Sequence, residues 1–249
     1  ILFKPQTEWL PPEEFKDLSS YDEIAIDLET KDPNLKTMGS GSVTGQAEIV
    51  GIALAVEGWS AYYPIAHEGG GNMDRKKVMD YFRTVLNYSS TKIFHNAMYD
   101  VCFIRAAGLK INGTIVDTMI AGSLVNENRF RYDLGSLGRD YLGKGKNEAV
   151  LLETAKQWGI DPKSEMYKLP AMYVGEYAER DAELTLELWQ EMKKQMLAEE
   201  VTSIFELETE LFPCLVDMRF LGVRVDVEAA NQLKHKLLTE EKECLQKVK

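Results

Sequence analysis

The stretch EIAIDLE, at residues 23–29, decides the fold of this 249-residue chain. Side chains alternate across a β-strand, so an apolar strand that ends in Asp27 and Glu29 carries both carboxylates on one face. Like charges so close repel each other unless a cation or a shared proton lies between them. The pair therefore indicates either a cation site or an ordinary solvated strand end.

The order of the predicted elements after this strand indicates a layered α/β fold. Residues 49–56 and 59–65 predict two further strands, joined by a tight turn at Glu57-Gly58. Apolar residues with helical spacing follow, interrupted by one short strand at 92–95. We therefore expect a mixed sheet flanked by helices, followed by a helical C-terminal extension. The expected helices cover residues 74–87, 97–107, 118–126, 134–142, 148–158, 171–199, 200–221 and 227–249.

The connection between the first two strands, residues 31–48, is long and rich in glycine, serine and threonine. Loops of this length are uncommon in compact domains and are often functional, although a tolerated surface insertion has the same composition. Pro170 predicts that the longest helix begins at Ala171, because proline is favoured in a first helical turn.

The charge balance excludes one way of binding nucleic acid. The chain has 29 basic and 40 acidic residues, so bulk positive charge does not hold it to nucleic acid or to an anionic membrane. The three cysteines are odd in number and widely spaced, which argues against a disulfide framework and favours a reducing compartment. No apolar run approaches the roughly 18 residues of a membrane helix, and both ends suggest a piece of a longer protein.

Two further segments place an acid on an apolar helical face. In the segment HNAMYD, Asn96 and Asp100 lie four residues apart and share one face of the predicted helix. In the segment EYAERD, Tyr177 and Asp181 do the same in the longest helix. A buried acid is costly without compensation. The plainer alternatives are a helix cap for Asn96 and core packing for Tyr177.

Taken together, the three segments bring four carboxylates to strand-end or core-facing positions. Clusters of carboxylates without histidine or cysteine suit hard cations such as Mg²⁺ or Mn²⁺. Two such ions are a known device for phosphodiester cleavage, since one lowers the pKa of the attacking water and the other stabilises the leaving oxygen. The four acids are Asp27, Glu29, Asp100 and Asp181.

The same motifs resemble those of a known enzyme family. Asp-x-Glu, Asn-x-x-x-Asp and Tyr-x-x-x-Asp occur here in the order found in the DEDD exonucleases, and Tyr177 matches their tyrosine subclass. Asp117-Thr118 and the segment LGSL at 134–137 are also similar to this family. The resemblance covers roughly residues 20–198 and implies the ribonuclease H-like (DnaQ-like) fold.

This resemblance implies a role for each motif residue and two bound Mg²⁺ or Mn²⁺ ions. The ion on the side of the attacking water would be held by Asp27, Glu29 and Asp181. The second ion would be held by Asp27 and Asp100, and Tyr177 would orient the water. The residues implied to contact the 3′-terminal nucleotide are Thr30, Asn96 and, as a wedge against the terminal bases, Leu35.

The last fifty residues resemble part of a polymerase. Residues 206–226 look like the segment that joins the proofreading domain of family A DNA polymerases to the thumb, with bacteriophage members the more similar. This similarity implies an exonuclease domain at residues 1–198 and a truncated helical start of the polymerase region at 199–249. The chain carries no polymerase active-site motif, so we do not expect it to synthesise DNA.

The expected function is a 3′→5′ proofreading exonuclease that hydrolyses single-stranded DNA ends and releases nucleoside monophosphates. Its expected partners are the DNA 3′ end and the polymerase portion of a longer chain, in the cytoplasm of a bacterial or phage-infected cell and without a membrane. Residues 129–146, which include Arg129 and Arg131, carry five basic and two acidic side chains with aromatic residues between them. This stretch could bind a single strand or be a solvated surface. An exoribonuclease of the same superfamily and a non-catalytic scaffold that holds a DNA end are the alternatives.

Overall fold

A five-stranded mixed sheet forms the centre of the computed structural model, which describes residues 7–248. The strands are β1 (Glu23–Lys31), β2 (Glu48–Val56), β3 (Trp59–Pro64), β4 (Thr91–Phe94) and β5 (Ile115–Asp117). Their order across the sheet is β3-β2-β1-β4-β5. β1 is antiparallel to β2 and parallel to β4, so the strand that carries the Asp-x-Glu pair lies at the centre. This confirms the predicted mixed sheet.

Ten α-helices are formed within residues 7–248, and six of the eight predicted helices lie within two residues of their predicted bounds. The predicted helix at 134–142 is α-helical only to Leu137 and continues as a π-helical turn. The helix α8 packs against β1, β2 and β3. The small side chains of Ala178 and Ala182 on its buried side let the helix approach the sheet closely. The helices are α1 (Leu35–Met38), α2 (Gly41–Thr44), α3 (Arg75–Asn87), α4 (Ala97–Ala106), α5 (Thr118–Val125), α6 (Leu134–Leu137), α7 (Ala149–Trp158), α8 (Gly175–Ala198), α9 (Thr202–Leu221) and α10 (Val227–Val248).

The start of the longest helix differs from the sequence prediction. Ala171–Tyr173 form a separate 3₁₀ turn, and α8 begins only at Gly175. The backbone amide of Ala171 donates to the carbonyl of Gly70 at 3.0 Å, which ties this turn to the loop after β3 instead of to the helix. The prediction that the helix begins at Ala171 was therefore wrong by one turn.

Two further features of the fold were not predicted. Ile115–Asp117 form the edge strand β5, although the run of three residues is too short to show a strand pattern in the sequence. The connection at 31–48 contains the one-turn helices α1 and α2. The buried carboxylate of Asp32 fixes this connection by accepting a hydrogen bond from the backbone amide of Gly41 at 2.9 Å.

The C-terminal residues divide between two compact units, one that ends at Val216 and one that begins at Asp217. Within the first unit, the ring of Phe205 on α9 lies 5.4 Å from that of Trp189 on α8. In the second unit, no residue of α10 between Val227 and Val248 is buried. The predicted domain boundary at 198/199 stays a prediction, and residues 1–6 and 249 of the predicted domains lie outside the described residues. Among residues 7–248, no helix combines the length and apolar character needed to cross a membrane.

Beside the Asp-x-Glu pair, the side chain of Tyr62 on β3 fills the space that Gly51 on β2 leaves open. Gly51 on β2 pairs with Glu29, and a Cβ added at Gly51 would lie 2.0 Å from the hydroxyl oxygen of Tyr62 on β3. This hydroxyl lies 2.7 Å from Nε2 of His67, whose Nδ1 lies 2.9 Å from the carbonyl oxygen of Leu169. Since Nδ1 must donate to that carbonyl, Nε2 accepts from Tyr62. Burial lowers the pKa of His67 to about 4, so the ring is neutral.

A second close approach predicts a large effect on stability. A Cβ added at Gly175 would lie 2.0 Å from the indole ring of Trp9, whose Nε1 donates to Glu179 at 2.9 Å. We expect Gly175→Ala to lower the free energy of unfolding by about 2–3 kcal/mol, because the indole must leave its site. Urea denaturation measures this change. Gly145→Ala is the matched control, because a Cβ there meets no atom within 4 Å, and equal stabilities of the two variants would contradict the prediction.

Candidate active site

A cleft of about 900 Å³ opens beside the second half of β1 and collects residues from three of the predicted motifs. Asp27 and Glu29 face it from β1 and are only partly buried. Asp181 and Tyr177 face it from α8. The face of β1 that carries Asp27 and Glu29 is therefore a cleft wall rather than a solvated strand end.

Asp100 lies behind the cleft lining, where it joins α4 to the central strand. It is 4% exposed, and its Oδ1 accepts a hydrogen bond from the backbone amide of Leu28 at 3.0 Å. That amide lies between Asp27 and Glu29 in the sequence, so the bond fixes the position of Asp100 relative to both. The acid on the apolar stripe of α4 is thus compensated by the backbone of β1.

A lysine that the motif search did not single out lies among the acids. Lys146 Nζ donates to Asp181 Oδ2 at 2.5 Å and to the hydroxyl oxygen of Tyr177 at 3.3 Å. The other carboxylate oxygen of Asp181, Oδ1, is buried without a hydrogen-bond partner. The sequence analysis placed Lys146 only in the basic stretch 129–146, because a contact over 35 residues leaves no periodic signal.

Asp117 is a second residue whose role the motif search missed. Its carboxylate accepts from the backbone amides of Asn96, Ala97 and Met119 at 2.8–2.9 Å. Asn96 adopts a left-handed conformation with φ of 65°, and its side chain forms no cap hydrogen bond. Asp117 therefore holds the turn between β4 and α4 in the conformation that leaves Asn96 exposed at the cleft. Asn96 occupies the N-cap position of α4, as the helix-cap alternative expects, but its side chain forms no hydrogen bond that caps the helix.

The predicted substrate-contacting residues divide into two groups. The cleft lining includes Thr30, Asn96 and Arg131, and the hydroxyls of Thr30 and Tyr99 lie 2.7 Å apart. The lining does not include Leu35 or Arg129. Leu35 is exposed on α1, and the guanidinium of Arg129 is paired with Asp140 at 2.5 Å. Thr30, Asn96 and Arg131 therefore line the same cleft as the acids, whereas Leu35 and Arg129 do not.

Comparison with known proteins identifies the family of the chain. The family model of the 3′-5′ exonuclease of DNA polymerase A matches residues 4–197. The chain belongs to this exonuclease family. The chain is 32% identical over 251 residues to the DNA-directed DNA polymerase of Pseudomonas phage M6, a match that covers 98% of this chain and 38% of that polymerase. The chain thus spans less than half the length of that relative.

Solved structures confirm the expected ribonuclease H-like fold of the exonuclease domain. The POL domain of Pol1 from M. smegmatis, in complex with DNA primer-template and dNTP, has a TM-score of 0.63 at 15% identity, over 90% of this chain and 33% of that one. Escherichia coli RNase D, an exoribonuclease involved in structured RNA processing, has a TM-score of 0.53 at 17% identity, over 83% and 47%. At these identities the similarity concerns the fold alone.

The acids of the exonuclease domain raise one another's pKa. Burial and the charge of Asp181 raise the pKa of Asp27 to about 7, and Lys146 acts against both. Burial, Asp27 and Asp181 raise the pKa of Glu29 well above its usual range. Burial and Asp27 do the same to Asp100, against the effect of the Leu28 amide. Burial first, and the neighbouring acids after it, therefore disfavour the ionised forms of these carboxyl groups.

This electrostatic strain predicts a pH dependence of stability. Because the pKa of Asp27 is about 7 in the fold and 3.8 ordinarily, the folded chain holds a proton there that the unfolded chain has lost. Its contribution to the free energy of unfolding therefore falls as pH rises from about 4 to about 7. The lowered pKa of His67 makes the free energy of unfolding rise with pH over part of the same range. This effect is the same in the wild type and in Asp27→Asn, so it cancels when the two are compared.

We accordingly expect Asp27→Asn, without metal, to exceed the wild type in stability by on the order of 1–2 kcal/mol at about pH 8 and by less at about pH 4. Chemical denaturation at both pH values measures the difference. A difference that stays constant between the two would contradict the raised pKa.

The chemical type of the candidate ligands fits a divalent cation. The four candidate ligands are all carboxylates, which Mg²⁺ and Mn²⁺ prefer, and His95 also lines the cleft. The unpartnered Oδ1 of Asp181 is an oxygen that a cation would satisfy. Within residues 7–248, however, no group of three or more potential ligands is arranged closely enough to enclose an ion as it stands. One oxygen of Asp181 is bound to Lys146 instead, so a cation needs a rearrangement there.

Proposed function

We propose that this exonuclease domain removes nucleotides from the 3′ end of single-stranded DNA with the help of two Mg²⁺ or Mn²⁺ ions. The observation that carries the proposal is a cleft lined by Asp27, Glu29 and Asp181 from β1 and α8, with Asp100 of α4 bonded to β1 behind it. The similarity to a phage DNA polymerase supports DNA as the substrate. The residues that would hold the ions are Asp27, Glu29, Asp100 and Asp181.

The ions would lower the pKa of an attacking water and stabilise the leaving 3′ oxygen. The side chains of the cleft would position the water and the terminal nucleotide. Tyr177 presents its hydroxyl one helical turn from Asp181, where it would orient the water by a hydrogen bond. Thr30 and Asn96, which also line the cleft, would contact the terminal nucleotide.

Basic side chains on one side of the cleft would bind the DNA backbone. Arg131, Arg139 and Lys163 line it together with the aromatic ring of Tyr132. Phosphate oxygens and stacked bases are what such a surface binds in a single strand. This local patch accounts for DNA binding by a chain whose net charge is −11.

We further propose that residues 199–249 begin the polymerase region of a longer chain, as the 38% coverage of the phage relative suggests. The described apolar side chains of α9 and α10 that remain exposed, among them Leu207, Leu221 and Leu237, would then be covered by that region. The exonuclease domain would act there as the proofreading site.

An exoribonuclease is the second candidate, because the fold of RNase D is similar. A hydroxyl pair near the acids, Thr30 and Tyr99, lies where a sugar 2′ group could be sensed. The relatives that match in sequence are DNA polymerases, which favours DNA. A scaffold that binds ends without cutting them would gain nothing from clustered, mutually repelling acids.

The proposal is tested by digesting 5′-labelled single-stranded DNA and RNA of the same sequence with Mg²⁺, with EDTA as the control. We expect a DNA ladder that shortens from the 3′ end, a slower RNA reaction and no reaction in EDTA. Faster RNA digestion would replace the first candidate by the second. Binding of the 3′ end without cleavage, with either ion, would leave only the scaffold.

A further inference from the structure

The ammonium group of Lys146 occupies the place where the acids of the exonuclease domain converge. It contacts Asp181 Oδ2 and the Tyr177 hydroxyl, and lies 5.2 Å from the centre of the Tyr177 ring. The side chains are well enclosed, with 22% of Lys146 and 3% of Asp181 exposed. A charge-assisted hydrogen bond this short and this buried is among the stronger polar contacts a protein makes.

The charge of Lys146 acts on the whole cluster. It lowers the pKa of Asp27, Glu29 and Asp181, against the burial that raises all three. In return, these acids raise the pKa of Lys146, although its own burial acts in the other direction. Lys146 is therefore the positive charge that compensates the acids in the described state.

The position of Lys146 in the chain allows it to leave. It lies in the segment 143–148, which joins a π-helical turn at Gly138–Leu142 to α7. A lysine ammonium on its four-carbon stem moves readily between partners, unlike a guanidinium bound by two parallel hydrogen bonds. Asp181, by contrast, is fixed within α8.

We propose that Lys146 is a resident counter-ion of the metal site: it neutralises the acids before metal binds, competes with the divalent cation for Asp181, and is displaced when the cation enters. The inference rests on the proposed function, since it takes those acids as the metal ligands. A cation at Asp181 and the ammonium of Lys146 repel each other, so binding of the cation weakens the contact between Lys146 and Asp181. The buried and unpartnered Oδ1 gives the incoming cation its first free oxygen.

The exchange has two measurable effects. With Lys146 bound, the metal-free domain avoids an uncompensated acid cluster and is more stable. The same bond lowers the apparent metal affinity, since full coordination by Asp181 is open only to the fraction of molecules in which Lys146 has released Oδ2. If the bound form outweighs the free form about ten to one, the affinity falls about tenfold.

Calorimetric Mn²⁺ titration of Lys146→Met and the full chain tests the first part. We expect the variant to bind Mn²⁺ about tenfold more tightly and to melt at a lower temperature in EDTA. Lys146→Arg, which keeps the charge, should bind Mn²⁺ no more tightly than the wild type. Lys144→Met is the matched control for metal affinity, because Lys144 is half exposed and pairs with Glu187 at 2.8 Å, outside the acids. Equal or weaker Mn²⁺ binding by Lys146→Met would overturn the inference.

Amine acetylation of the wild-type chain, read by mass spectrometry, tests the displacement itself and needs no variant. Saturating Mn²⁺ should increase modification of Lys146 several-fold and leave that of Lys144 unchanged. Unchanged labelling of Lys146 in the metal-bound protein would refute the displacement and leave the proposed function intact. Failure of the wild type and every variant to bind Mn²⁺ would refute both this inference and the metal-dependent function.

Discussion

Replacing Asp27 with alanine is expected to slow the digestion of single-stranded DNA by about 10³-fold while the domain stays folded. Asp27 lies on the central strand and lines the cleft together with Glu29 and Asp181. In the proposed mechanism it holds both ions, so its loss removes charge stabilisation of the attacking and the leaving oxygen together. Single-turnover rates at saturating Mg²⁺ measure the effect.

The control for this experiment is Glu57→Ala. Glu57 is also a carboxylate on the sheet, but it is exposed in the turn between β2 and β3. It should retain the wild-type rate. A loss of less than about tenfold in Asp27→Ala would show that the cleft at β1 is not where cleavage occurs.

Replacing Tyr177 with phenylalanine is expected to lower kcat by about 10²-fold and to leave KM almost unchanged. The ring stays in place, so its contact with Lys146 persists and only the hydroxyl is lost. That hydroxyl accepts one long bond, at 3.3 Å. The melting temperature should therefore change little, and a fall in rate would report on orientation of the water.

Tyr88→Phe provides the comparison for Tyr177→Phe. The Tyr88 hydroxyl donates to Asp17 at 3.2 Å on an exposed surface, away from the cleft. It should keep the wild-type kcat. A higher KM with unchanged kcat in Tyr177→Phe would instead assign Tyr177 to substrate binding.

The acids could be predicted from the sequence because each is tied to a local period. The alternation of β1 places Asp27 and Glu29 on one face, and the helical repeat places Asp100 and Asp181 on otherwise apolar stripes. The structure brings these stripes to the same sheet, with Asp100 bonded to the backbone between the two β1 acids. β1, which carries Asp27 and Glu29, is the central strand of that sheet.

The residues that were missed act over long sequence distances. Lys146 reaches Asp181 from a loop 35 residues away, and Asp117 binds amides some 20 residues before it. Neither contact follows a helical or strand repeat. In the sequence, Lys146 therefore looks like any basic loop residue, and Asp117 looks like any acid at the end of a strand. The displaced start of α8 has the same origin, since the partner of Ala171 is Gly70.

Tyr62 fills the space above Gly51, so the two positions cannot drift independently through evolution. A lineage that gains a side chain at residue 51 must first accept a smaller residue at 62, and His67 then loses the hydroxyl that satisfies its ring. Each intermediate with one change is penalised by a clash or by a buried, unpaired nitrogen. In an alignment of many related exonucleases, we therefore expect residues 51, 62 and 67 to change together rather than one at a time.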